Sequence, residues 1–248
     1  MFEAFAKGIE RVLYRLQRVV AVKRPNFDVQ KIRAEGYVSQ YGQDKWVIEA
    51  MFPKGYKGIF VDIGAHDGHS FSNTFVLETK GWSGIAVEPN PEVYAKLKEN
   101  RRCITVNACI AANAGTALFR AIRGDAQMLS GLVAKYDPRH LTRIEREIGA
   151  SGGTFTDIEV PCLTFVDLMQ EHGVTSIDYL SIDVEGGELD ILQGIDFDRI
   201  HVSVIGVENN YRDFRIFKLL LQHGFQLHSR VGGDEFYCNR TFDKCGTR

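Results

Sequence analysis

Val61-Asp62-Ile63-Gly64-Ala65-His66-Asp67-Gly68 stands where a short apolar run, Gly58–Gly64 (GIFVDIG), ends in a glycine turn. Such a run, too short for a helix and bounded by turn residues, reads as a buried strand. Gly64 and Gly68 permit a tight turn and close backbone approach, and a helix starting there turns free N–H groups toward an anion. Working outward, Ser83–Pro91 (SGIAVEPNP) and Cys103–Ala111 (CITVNACIA) are two further apolar runs. Helical patterns over Ser70–Lys80 and Pro91–Asn100 separate the three. Strands alternating with helices over short connections predict a doubly wound α/β domain around a mostly parallel sheet.

The alternation loosens after the third run. Thr116–Ile122 and Phe155–Leu163 read as strands flanking a polar, glycine-containing stretch, Gly124 to Gly153, with a short helix over HLTRIEREIG. A connection of that length is expected to serve as a lid or substrate loop. Regular order returns with a helix over Thr164–His172, a strand over Ile177–Gly187 and a helix over Glu188–Gln193. A strand over Val202–Asn209 and a helix over Tyr211–His223 follow, and FQLHS and EFYCN close the domain as two more strands. Seven strands are thus expected in the sheet.

Upstream, residues 1–25 predict an amphipathic helix ended by Pro25. Phe2, Phe5, Ile9, Val12, Leu16 and Val19 recur at spacings of three and four, opposite Lys7, Arg11, Arg15 and Arg18. Either this helix docks on its own domain or on a second copy, making a homodimer, or it rests on anionic lipid as a peripheral membrane contact. Residues 26–38 read as a linker, and 39–248 as the domain with its insertion at about 124–153.

Composition sets bounds. Of 248 residues, 44% are hydrophobic and 25% charged, the balance of an ordinary globular chain. A net charge of −2 gives no basic excess for a nucleic-acid partner. Five cysteines without a C-x-x-C pair suggest neither a zinc site nor a disulfide framework, so reduced thiols and a cytoplasmic location are expected, with the inner membrane face as the peripheral alternative. No window approaches the ~20 apolar residues of a membrane span, and charges interrupt any signal-peptide core.

The chemistry gathers at strand ends, where doubly wound sheets bind ligands. Twenty positions after Gly68, Glu88 ends the second strand and can accept both hydroxyl protons of an adenosine ribose. The spacing Gly64-x-x-x-Gly68 is not the G-x-G-x-x-G of a dinucleotide site, and His66 fills the middle position. Asp62 would repel a pyrophosphate yet suits an ammonium group, which favours S-adenosylmethionine over NAD. The competing readings are an NAD-type oxidoreductase and a non-catalytic adaptor that keeps the fold.

A second cluster, DYLSIDVEGGELDIL, sends Asp183, Glu185 and Glu188 from the fourth strand end, and VENN sends Glu208, Asn209 and Asn210 from the fifth. So many acids at one rim bind a cation, pair, or hold protons. An aliphatic hydroxyl acceptor needs a base or a divalent cation to lose its proton. Asp183, Glu208 and Asn209 are hard oxygen ligands suited to Mg²⁺. Alternatively Asp183, Glu208, Glu185 or His66 supplies the base. Glu188 also suits a plain helix-N-terminal acid.

Taken together and in order, SQYGQDKWVIEAMF (Ser39–Phe52), FVDIGAHDGHSFSNT, VEPNP and SIDVEGGELDIL resemble the FkbM family of S-adenosylmethionine-dependent methyltransferases, over roughly Ser39 to Gln226. The resemblance implies a class I methyltransferase, Rossmann-like fold and O-methylation of a hydroxyl on a sugar, glycan or related natural product. It implies that Asp62, Gly64 and Glu88 hold the cofactor, and that Ser39, Gln40 and Asp44 close over its methionine end. His66 departs from the family, whose members commonly carry Asn there.

Overall fold

The computed structural model describes Val12, residues 23–25 and residues 27–242; apart from Val12 and 23–25, the expected N-terminal helix lies outside the described residues. Eleven stretches become strands among the described residues, and those of the central sheet are buried on both faces, or nearly so. β1 (Ile59–Ile63) and β2 (Ser83–Val87) form the centre with β8 (Ser176–Ile182) and β9 (His201–Glu208). The period-2 alternation divides each strand between two layers. Val61, Ile63, Leu180 and Ile205 pack with the helices Phe165–Glu171, Glu188–Gln193 and Phe214–Gln222. Phe60, Tyr179 and Val204 face the opposite layer with Met51, Phe52 and Trp82.

With β3 (Ile104–Val106), β10 (Phe225–Val231) and β11 (Asp234–Asn239), these strands make one seven-stranded sheet of order β10-β11-β9-β8-β1-β2-β3. All pairings are parallel except those of β11, which runs antiparallel to both β9 and β10. The order reverses between β1 and β8, so their carboxyl ends open a crevice.

Several sequence expectations need correction. Cys103–Ala111 is not one strand: β3 ends at Val106, and Cys109–Ile110 forms β4 in a separate four-stranded sheet. That sheet, β4-β7-β5-β6, is built on the antiparallel pair β5 (Gly115–Arg123) and β7 (Thr154–Leu163), with β6 at Gly131–Leu132. The stretch 124–153 is therefore the far end of a long hairpin, and its helix is longer than HLTRIEREIG, running Pro138–Ser151 from an Asp137 cap to Gly152. Likewise the helix expected over Ser70–Lys80 is confined to Phe75–Thr79. Asp67 accepts from the His69 and Ser70 N–H groups, and Ser72 Oγ from those of Thr74 and Phe75. These side chains take the donors a helix would have used.

Cys103, Cys109 and Cys162 are free thiols, whereas Cys238 is disulfide-bonded, which corrects the expectation of reduced thiols at that position. No helix among the described residues is long and apolar enough to cross a membrane.

Candidate active site

The crevice at the β1 and β8 ends holds a cavity of about 710 Å³, walled by Gly64, His66, Glu88, Asp183, Glu185 and Glu208 together with Asp125–Ser130 of the hairpin end. Its floor depends on Gly64. That residue has φ +90°, and a Cβ there would lie 1.8 Å from the Asp183 carbonyl oxygen. Only glycine lets the ends of β1 and β8 approach so closely. The Gly64 and Ala65 N–H groups both donate to the Val87 carbonyl at 3.0 Å, which ties the turn to β2.

Glu88 enters this cavity at the end of β2. Its Oε2 accepts from the His66 backbone N–H at 3.1 Å and its Oε1 from that of Asn90 at 2.8 Å. Burial pushes its carboxyl up to about 7, against these donors. Each oxygen retains a lone pair for a ligand hydroxyl. Both His66 ring nitrogens are buried in the cavity wall with no hydrogen-bond partner, although Nδ1 stands 3.7 Å from Asp67 Oδ1. Orphaned buried polar atoms are costly and suit a polar ligand.

Of the other residues expected to hold the cofactor, Gln40 lines the cavity, while Asp62, Ser39, Asp44 and Gly68 stand behind its wall. Asp62 is buried and accepts from Thr74 Oγ1 at 2.5 Å; burial raises its carboxyl while the Arg101 guanidinium opposes the rise. Ser39 and Asp44 are fully buried and bonded to each other, Ser39 Oγ donating to Asp44 Oδ1 at 2.5 Å. Asp44 Oδ2 also accepts from the Val38 and Ser39 N–H groups. They shape the turn from which Gln40 and Tyr41 reach the cavity. Gly68 packs under Leu97 and Arg101, outside the lining.

On the opposite wall, Asp183, Glu185 and Glu208 bring carboxylate oxygens within 4.8 Å of one another. Burial, followed by mutual repulsion, pushes Asp183 and Glu208 well above the usual carboxylate range. Burial takes Glu185 to about 7, with Arg143 opposing. Asn209 does not complete the set expected for Mg²⁺. Its Oδ1 accepts from the Asp213 N–H at 2.6 Å, and its Nδ2 donates to Glu235 Oε2 at 3.0 Å. Glu188 accepts from the Val184 and Gly186 N–H groups, the bonds of a helix-start acid.

Sequence reading missed Asp234, a buried acid of the same cavity that burial raises to about 6. It accepts from Gln43 Nε2 at 3.2 Å, joining positions 191 apart. It also missed a second cavity of about 900 Å³ beyond the acids, walled by Tyr211, Arg212, Arg139 and Lys135 and sharing Glu185, Glu208 and Asn210 with the first. Among the described residues, the four non-glycine positions with positive φ are His66, Phe71, Glu185 and Arg212, and each lines one of these cavities. Strained backbone concentrated at two adjoining cavities marks a functional centre. Two pairs have Tyr-x-x-x-Lys spacing: Tyr41 lines the first cavity but Lys45 is held by Glu35 and Glu49, and neither Tyr94 nor Lys98 lines a cavity, the Tyr94 hydroxyl lying 3.3 Å from the Thr105 carbonyl.

A sheet of this strand order, with its cavity between a glycine turn and an acid at the end of β2, is that of a class I methyltransferase. The match to the Methyltransferase FkbM domain over residues 62–227 assigns the chain to that family, and it is an S-adenosylmethionine-dependent methyltransferase. The 31-O-demethyl-FK506 methyltransferase FkbM of Streptomyces tacrolimicus is 28% identical over 192 residues, covering 67% of this chain and 72% of that protein. Among solved structures, a TehB-like SAM-dependent methyltransferase from Corynebacterium glutamicum shows 14% identity and a TM-score of 0.39, covering 85% of this chain and 92% of that one. The METTL16 MTase domain shows 11% and 0.44, covering 92% and 76%.

Proposed function

We propose that the enzyme methylates a hydroxyl oxygen of a small-molecule or glycan acceptor, with Glu185 receiving the hydroxyl proton. The observation that carries this reading is the carboxyl cluster standing between two cavities, so that one group faces both the cofactor side and the acceptor side. Gly64, Glu88 and the His66 turn would hold S-adenosylmethionine, which supplies an electrophilic methyl group when bound. The hairpin end closes that cavity, and exclusion of water strengthens every polar contact inside it. Alignment of the acceptor oxygen and removal of its proton are then the tasks left to the chain.

The second cavity suits the acceptor. Tyr211 provides a flat apolar face with the Arg139 guanidinium 4.3 Å from its ring centre, and Glu185, Glu208 and Asn210 offer hydrogen bonds to hydroxyl groups. A base is favoured over Mg²⁺ by the engagement of Asn209 elsewhere and by the Arg143 guanidinium beside Glu185.

The test is transfer of labelled methyl from S-adenosylmethionine to fractionated glycan and lipid extracts, with the product characterised by NMR. A methoxy product is expected, EDTA should leave the rate unchanged, and Glu185→Gln should lower it ~10²-fold or more. Methyl found on nitrogen or carbon overturns the hydroxyl reading, and loss of activity in EDTA restored by Mg²⁺ overturns the base reading.

A further inference from the structure

We propose that His140, carried on the hairpin-end helix Pro138–Ser151, is the positioning residue that holds Glu185 and shares one proton with it. This rests on Glu185 being the base. His140 is almost wholly buried, its ring stacked on Tyr136 at 5.0 Å between centres. Its Nε2 lies 3.3 Å from the Leu129 carbonyl oxygen and its Nδ1 3.3 Å from Glu185 Oε2.

These two contacts fix the tautomer. A carbonyl only accepts, so Nε2 carries a hydrogen. In a neutral imidazole Nδ1 then presents a lone pair, and a second lone pair on an ionised Glu185 would face it. The contact is attractive only when one proton lies between them. Burial favours the uncharged form of both groups, raising the carboxyl and lowering the imidazole, which agrees with a neutral acid beside a neutral ring. The groups facing the pair are Tyr136, Asp137, Arg143 and Glu147 from the hairpin end, Asp183 and Glu188 from the β8 end, Glu208 from β9, Tyr211 beyond it and Asp234 from β11.

The backbone supports the same assignment. Glu185 has φ +57° and is followed by Gly186 and Gly187 at +118° and +112°. A Cβ at Gly186 would lie 2.7 Å from the Lys135 carbonyl oxygen, so the hairpin end grips this loop. With Oε2 turned to His140, Oε1 is the oxygen left to receive a hydroxyl proton. As it does so, the proton on Oε2 passes to Nδ1. Glu185 remains a neutral acid and His140 becomes an imidazolium. The pair gains one positive charge in the step in which a sulfonium becomes a neutral thioether, so net charge in the site is conserved.

The experiment is long-range ¹H–¹⁵N NMR on full-length protein labelled with ¹⁵N-histidine, the His140 signals being assigned by their loss in His140→Gln. An Nε2–H ring is expected, its Nδ1 hydrogen-bonded near neutrality and released as pH rises and the shared proton leaves. In Glu185→Gln the amide donates to Nδ1 at every pH, so the alkaline change should vanish. An Nδ1–H tautomer overturns the proposal, as does an alkaline change that persists in Glu185→Gln. In the methyl-transfer assay His140→Gln should lower kcat at least about tenfold, with KM for S-adenosylmethionine unchanged and the pH profile displaced. If the NMR outcome holds while Glu185→Gln retains full activity, the base reading fails and the shared proton stands.

Discussion

Glu88 already accepts two backbone N–H groups, and burial nevertheless holds its carboxyl up to about 7. In the free protein near neutrality it is therefore partly protonated, and a ligand that donates ribose hydroxyls must deprotonate it. Affinity for S-adenosylmethionine should rise with pH through that value, being about tenfold weaker near pH 6 than near pH 8. Glu88→Gln should bind weakly and almost independently of pH. Calorimetry across this range checks both; a wild-type affinity that ignores pH would remove Glu88 from the ribose. The placement of Gly64 and Glu88 at the cavity was legible because each sits at a strand end. Ser39 and Asp44 were less so, since the sequence does not reveal that they spend their polar atoms on each other.

At the scale of elements, the loop joining β1 to the short helix Phe75–Thr79 is held from below by Arg101. Its side chain is fully buried and donates to Glu78, to the Gly68 carbonyl at 3.3 Å and to Thr74 Oγ1 at 3.1 Å. Thr74 in turn bonds Asp62. One guanidinium thus links the helix, the glycine turn and the acid beneath it. Arg101→Met keeps much of the volume but strands Glu78 and Asp62, so a loss of about 3–5 kcal/mol is expected by chemical denaturation. A loss below about 1 kcal/mol would mean that solvent replaces the guanidinium without penalty. The strands themselves were legible from apolar runs and turns. The second sheet was not, because only Asn107 and Ala108 separate β3 from β4 and the apolar pattern runs across both. The partnership of His140 with Glu185 was also invisible, since a hairpin end and a strand end meet only in the fold.

Across the whole molecule, the cavity gathers acids that folding holds partly neutral, which couples stability to pH. In the folded protein burial takes Glu88 and Glu185 to about 7 and Asp234 to about 6, from ordinary values of 4.5 and 3.8. A raised folded value means that the native state binds more protons than the unfolded chain. The favourable contribution is full below the unfolded value and is lost as pH rises through the folded one. His140 and His228 act in the opposite sense, because burial lowers both and their contribution is gained as pH rises toward 6.5. Above that point the acids dominate, so the ligand-free enzyme should lose stability between about pH 6.5 and pH 8. Glu185→Gln isolates one group, since the amide cannot ionise yet can still donate to His140 Nδ1. Thermal unfolding should show the variant gaining on the wild type as pH rises through about 7, by about 1 kcal/mol or more by pH 8. If the two curves stay parallel across that range, Glu185 is already ionised in the folded protein and the shared proton is lost with it.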